Sequence, residues 1–151
     1  MSKQPTKLIG LSFTDFKSLV RDGKEIHLRA ARLIPFYKPG DEMALTSIFM
    51  SAMRLIKEFR KNVSKAISLT PSGKIYIFTE IEFLLFDKKR IDGLIIIVKG
   101  NKIVDAVLIE VKNKNNELDA KQIKNYASIA KKYGVNKLLT ISNQFVSFPT
   151  Q

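Results

Sequence analysis

Three strand-forming runs in close succession constrain this chain more than any other feature. Residues 75–86 (IYIFTEIEFLLF) are dense in β-branched and aromatic side chains, residues 91–98 (IDGLIIIV) form an apolar run, and residues 103–112 (IVDAVLIEVK) follow. Lys99-Gly100-Asn101-Lys102 between the last two is a hairpin-type turn, so those strands are expected to pair antiparallel. A helical pattern then covers 116–133, with Asn116 able to cap it and an apolar face of Leu118, Ile123, Tyr126, Ala127, Ala130 and Tyr133. Gly134 closes it in the C′ position. Residues 137–142 (KLLTIS) read as one more strand. Strand, helix and strand in this order make a right-handed crossover with parallel pairing.

The first helix lies upstream. Leu45, Ile48, Phe49, Ala52, Leu55, Ile56, Phe59, Val63 and Ile67 recur at helical spacing, which predicts one long amphipathic helix over 41–68. Asp41 is a natural N-cap, and Glu42 stands in the first turn, where negative charge suits the helix dipole. Arg54, Lys57, Lys61 and Lys65 fall along another face, readable as a solvated surface or as a track for phosphates. Thr70-Pro71-Ser72-Gly73 ends the helix in a turn. The expected fold is α/β in the order αβββαβ, a mixed sheet flanked by helices. Residues 1–40 are less readable: 8–20 are mildly amphipathic, 26–34 suit a short strand or helix, and 35–40 (PFYKPG) read as a turn. One domain over 1–151 is expected, with its core at 41–143 and 1–40 as an N-terminal extension.

A length of 151 residues with 45% hydrophobic side chains suits one domain with a real core. No apolar run approaches the ~20 residues of a membrane-spanning helix. The start, MSKQPTKLIG, has no apolar stretch leading to a cleavage site, so no secretory signal is read and a cytoplasmic setting is expected. The absence of cysteine excludes disulfides, thiolate metal sites and a cysteine nucleophile. His27 is the single histidine; it removes every mechanism needing two and, lacking a partner motif, reads as structural. No G-x-x-x-x-G-K-[ST] occurs, so no ATP-driven motor is encoded. Charge is the positive clue. Lys and Arg number 26 against 14 Asp and Glu, a formal net charge of +12, spread as +8 over 1–75 and +4 over 76–151. Such a field favours a polyanionic partner through attraction and counterion release; a merely soluble basic protein is the plain alternative.

Glu110 and Lys112 stand two apart at the end of the third strand, so both project from one face. Their neighbours Val107, Leu108, Ile109 and Val111 are apolar, and an acid and a lysine have no packing purpose there. Asp92 lies near the start of the preceding strand, and the hairpin brings it to the same sheet end. Two converging carboxylates could hold a hard cation such as Mg²⁺. A lysine beside them could position a water and steady charge on a phosphate. A structural Glu–Lys pair closing a strand end is the alternative. Glu80 and Glu82 share a strand face with Phe78 and Leu84, and either could add a ligand, although a solvated face is the preferred reading. Asp105 is too far from Glu110, at five residues of ~3.3 Å each. Gln122 and Tyr126, four apart, share a helical face, as a packed tyrosine with a surface glutamine or as groups reaching the site. Phe36, Tyr37 and Lys38 could stack on unpaired bases.

This constellation resembles the PD-(D/E)xK phosphodiesterases, the restriction-endonuclease-like nucleases. The resemblance rests on Arg90-Ile91-Asp92-Gly93 and Ile109-Glu110-Val111-Lys112, with seventeen residues between Asp92 and Glu110. Gln122 and Tyr126 look like the Q-x-x-x-Y motif of the exonuclease and recombination-repair branch. About residues 41–143 are covered. Ile91 replaces the proline of the family name, which supplies no ligand. The chain also stops where many members continue, as a minimal member or a piece of a longer protein would.

The resemblance implies a restriction-endonuclease-like fold. It implies metal ligation by Asp92 and Glu110 with help from the Val111 carbonyl, an attacking water aligned by Lys112, and Glu42 completing the acidic cluster. Gln122 and Tyr126 would reach the site or the nucleic-acid backbone. The implied cofactor is Mg²⁺ or Mn²⁺, and the substrate is DNA in preference to RNA. Arg54, Lys57, Lys61, Lys65, Lys114 and Lys121 are the candidate nucleic-acid contacts. A homodimer or a missing C-terminal region could complete a duplex cutter. The competing reading is a non-catalytic nucleic-acid-binding or assembly module of the same fold.

Overall fold

In the computed structural model, which describes residues 4–28, 42–112 and 119–142, five strands form one mixed sheet. Their spatial order is their chain order: β1 (Ile26–Leu28), β2 (Lys74–Phe83), β3 (Lys89–Lys99), β4 (Lys102–Lys112) and β5 (Leu138–Ser142). The first four are antiparallel neighbours, and β5 runs parallel to β4, with Leu108 opposite Leu138 and Lys112 opposite Ser142. Four helices accompany them among the described residues: α1 (Phe13–Asp22), α2 (Glu42–Leu55), α3 (Lys57–Ala66) and α4 (Ala120–Lys132). From α2 onward the order is the expected one, with one helix divided in two. Among the described residues no helix is long and apolar enough to cross a membrane.

The continuous apolar runs of β3 and β4 follow from burial on both faces. Leu94, Ile96, Ala106 and Leu108 pack with Phe16 of α1 and with Tyr126, Ile129 and Tyr133 on the α4 side. Ile95, Ile97, Val107, Ile109 and Val111 pack with Met50 and Met53 of α2. The β3–β4 turn is two residues long, and Gly100 sits at φ 63°, a left-handed conformation that costs glycine no Cβ clash. Ile97 pairs with Asp105 but Val98 with Ile103, so β4 carries one extra residue there.

The expected single helix over 41–68 is broken. Ile56 adopts an extended backbone (φ −106°, ψ 102°), and the Arg60 guanidinium donates to the Met53 and Arg54 carbonyls at 3.1 and 2.8 Å. Those carbonyls are ones the ending helix leaves without partners. A straight 28-residue helix would run about 42 Å, beyond the ~36 Å of an 11-residue strand. The bend keeps Phe59, Val63 and Ile67 on the same apolar face as Phe49. The buried side of α2 also differs from the expectation. Ala44, Thr46, Met50 and Met53 are buried, whereas Ile48, Leu55 and Ile56 are exposed. Gly93 explains the choice, because a Cβ there would overlap the Met50 methyl, so the missing side chain is the socket for Met50.

β2 ends at Phe83 instead of residue 86, since Asp87 and Lys88 turn through left-handed φ values of 49° and 54°. α4 is capped by Asp119, whose carboxylate accepts from the Lys121 amide at 3.0 Å. Its buried residues are Tyr126, Ile129 and Ala130, with Tyr133 just beyond, and Ala127 is exposed. Gly134 does close the helix at φ 72°, and the Val135 amide donates to the Ala130 carbonyl at 2.8 Å. The expectations for 29–40, Asp41, Lys114, Asn116 and Leu118 lie outside the described residues.

Candidate active site

The register of the hairpin builds the site. Gly93 pairs with Ile109, so Asp92 falls opposite Glu110 where the β3–β4 ladder ends. There the Asp92 carboxylate accepts the Val111 amide at 2.7 Å, replacing a backbone acceptor. Side-chain alternation along β4 sends Glu110 and Lys112 to one side, and the Lys112 ammonium lies 3.2 Å from Glu110 Oε1. It also stands 3.9 Å from Glu42 Oε2, at the first residue of α2. Lys112 therefore sits between two carboxylates from different elements.

On α4, Gln122 Nε2 donates to the Tyr126 hydroxyl at 3.0 Å. Tyr126 is buried close enough to Glu110 for each to act on the other's ionisation, yet Glu110 Oε2 is buried without a well-formed hydrogen bond. Asp92, Glu110, Lys112, Tyr126 and Gln122 are thus brought together, and Glu42 joins them through Lys112.

The electrostatics are those of a crowded, dehydrated acidic site. Burial, reinforced by the Asp92 charge, pushes the Glu110 carboxyl up to about 7, although Lys112 pulls the other way. Burial also raises Asp92, partly opposed by the Val111 amide, with the Glu80 charge adding to the rise. For Lys112, burial favours the neutral amine, but contact with Glu110 and the charge of Glu42 outweigh it, so the ammonium is held above its ordinary range. Tyr126 is raised by burial and by Glu110, and keeps its proton.

Glu80 is the residue whose role the alternation pattern misplaced. Thr79 pairs with Gly93 and Ile81 with Ile91, leaving Glu80 opposite Asp92 outside the ladder at φ 55°. It is buried instead of solvated, with the Arg90 guanidinium 3.3 Å from its Oε2. A left-handed non-glycine residue next to a carboxylate cluster is the kind of local strain that gathers at functional sites. No sequence signal marks it, because the departure from extended backbone is a tertiary effect. Glu82 instead meets His27, whose Nδ1 lies 3.1 Å from Glu82 Oε2.

No family model, curated protein or solved structure matches this chain.

The donor set suits a hard cation in chemistry. Asp92, Glu110 and the Val111 carbonyl offer oxygen only, and the unpartnered Glu110 Oε2 is the kind of buried atom that a cation satisfies. Among the described residues no three Asp, Glu or His side chains gather into a ready cage, so waters or substrate oxygens would have to complete a coordination shell. The basic residues divide differently from the expected stripe. Lys57, Lys61 and Lys65 line one groove, whereas Arg54 borders a neighbouring depression with Lys74 and Tyr76, because the break at Ile56 separates them. Lys121 is exposed at the start of α4.

Proposed function

We propose that this chain is a metal-dependent phosphodiesterase of the PD-(D/E)xK kind, with a restriction-endonuclease-like fold, that cleaves DNA in preference to RNA. The observation that carries the reading is the meeting of Asp92, Glu110 and Lys112 at one rim of the sheet, two strained carboxyls beside a charged ammonium. Asp92 and Glu110, with the Val111 carbonyl, would hold Mg²⁺ or Mn²⁺. When bound, such an ion stabilises charge developing on the phosphate and the leaving oxygen.

The chain's own side chains have distinct parts in this reading. Lys112, fixed between Glu110 and Glu42, aligns the attacking water by donating a hydrogen bond to it. Tyr126, steadied by Gln122, holds the Glu110 carboxylate in place. Glu42 keeps Lys112 charged and aimed. The net charge of +12 draws the substrate in.

Purified protein incubated with plasmid DNA and Mg²⁺ tests this. Glu110→Ala and Lys112→Ala are each expected to lower cleavage at least ~10²-fold while nucleic-acid binding persists. Equal cleavage by both variants and the parent removes the reading. Because no three-carboxylate cage is preformed, a non-catalytic nucleic-acid-binding module is the second reading. It is the one left if the parent binds DNA and yields no Mg²⁺-dependent product.

A further inference from the structure

Lys57, Arg60, Lys61 and Lys65 occupy positions i, i+3, i+4 and i+8 of α3 and line a groove of about 540 Å³. Its other wall is the connection from Ser68 to Gly73, and Ile75 and Ile97 contribute side chains from the sheet. Among the described residues no carboxylate lines this groove and none of the three lysines has an acidic partner. Like charges held in one concavity repel each other, and an anion entering it relieves that repulsion.

The groove is also built rather than casual. Thr70 is anchored from beneath, its amide and hydroxyl donating to Asp105 at 2.7 and 2.9 Å. Gly73 lies against the sheet at φ 129°, where a Cβ would stand 2.7 Å from Ile97 Cγ2. Arg60 fastens the α2–α3 bend while adding its charge to the wall. Among the described residues no aromatic side chain lines the groove, so they offer charge and hydroxyl donors without a stacking platform for bases.

We infer that this groove cradles the phosphate backbone of a nucleic acid, as an anchor separate from the acidic rim. The two sites are far apart. Asp92 and Ile97 are five residues apart on β3, about 17 Å at the rise of a strand, or about five base pairs at the 3.4 Å rise of DNA. A nucleic acid that touches both therefore runs at least that far beyond the phosphate at the rim. This footprint rests on the nuclease reading, whereas binding in the groove does not. The concave setting distinguishes the surface from one that lies on a bilayer, where cations flank an apolar helix edge that enters the lipid.

The test is fluorescence anisotropy with labelled 30-nucleotide single-stranded and duplex DNA in EDTA, over a salt series. The triple variant Lys57→Gln, Lys61→Gln, Lys65→Gln is compared with a control triple, Lys17→Gln, Lys24→Gln, Lys88→Gln, which removes the same charge from exposed positions elsewhere. The groove variant should bind at least tenfold more weakly in low salt, and its slope of log affinity against log salt should flatten by about two to three, since each phosphate contact contributes about 0.9. The control triple should shift both far less. Parental affinity and slope in the groove variant, an equal loss in the control, or binding to phosphatidylserine vesicles in place of DNA would each overturn the inference. Cleavage is scored separately: a parent that binds but never cuts removes the nuclease reading and leaves the groove standing.

Discussion

The two ends of β4 each carry a buried carboxylate beside a lysine, and their chemistry is opposite. At one end, Asp105 is fully satisfied. Its oxygens accept from the Thr70 amide and hydroxyl, from the Ala106 amide, and from Lys137 at 2.6 Å. Burial alone would raise its pKa, but the Lys137 and Thr70 hydrogen bonds outweigh burial and hold it below the usual carboxylate range. At the other end, Glu110 has one oxygen on Lys112, one unpartnered, and a second carboxylate nearby, and its pKa rises to about 7. One end is a structural clamp, and the other holds its carboxylates ionised only at a cost to stability, the arrangement that the proposed cation site requires. An acid next to a lysine is therefore uninformative until its remaining lone pairs are counted.

The largest expected effect separates the two ends by activity. Glu110→Ala should abolish Mg²⁺-dependent cleavage, at least ~10²-fold, whereas a substitution at Asp105 that leaves the protein folded should keep kcat near the parental value. Comparable kcat losses at both ends would break the contrast.

Stability should separate them in the reverse sense. Asp105→Ala leaves Lys137 partly buried and unpaired, and should cost about 3 kcal/mol in denaturant unfolding. Glu110→Gln should stabilise the metal-free protein at pH 8 by up to about 3 kcal/mol, the attraction of Lys112 being already contained in the raised pKa. The sign follows from the raised folded pKa: Glu110 supports the native state below its unfolded pKa of 4.5, and that support is lost as pH rises through about 7. The gain from Glu110→Gln should accordingly vanish near pH 4.5. Asp105, with a lowered folded pKa, supports the native state above its unfolded pKa of 3.8 and withdraws that support as pH falls through its lower folded value.

Millimolar Mg²⁺ should raise the parental Tm at pH 8 and raise that of Glu110→Gln far less, because a cation stabilises only the state that binds it. Equal shifts would place the binding elsewhere. The smallest effect is Thr70→Val, which removes one hydrogen bond to Asp105 and should cost about 1 kcal/mol, with kcat at saturating DNA unchanged.

What was legible in the residues themselves was local. Period-two alternation placed Glu110 and Lys112 on one side, and the Gly100-Asn101 turn brought Asp92 to the same sheet end; counting back from that turn sets Asp92 opposite Ile109, and the extra residue in β4 moves it opposite Glu110. The strand–helix–strand unit gave β5 its parallel place beside β4. Each depends on neighbours within a turn or one hairpin, where backbone geometry leaves few choices.

What escaped was decided by contacts distant in sequence. The break at Ile56 depends on Arg60 reaching back to α2 carbonyls and on how much sheet there is to cover. The choice of Met50 and Met53 over Ile48 and Leu55 depends on a missing Cβ at Gly93, more than forty residues away. Glu80 was assigned to water by alternation and is buried opposite Asp92.

The sequence by itself determined the element types from α2 onward, the pairing of the central hairpin, and the presence of two acids and a lysine at one strand end, because these obey short-range periodicities. Only the tertiary structure decided which of the chain's acidic residues are satisfied and which are strained, and where the cations stand relative to them. Burial and unpaired lone pairs are properties of everything packed around a side chain, and no window of sequence contains them.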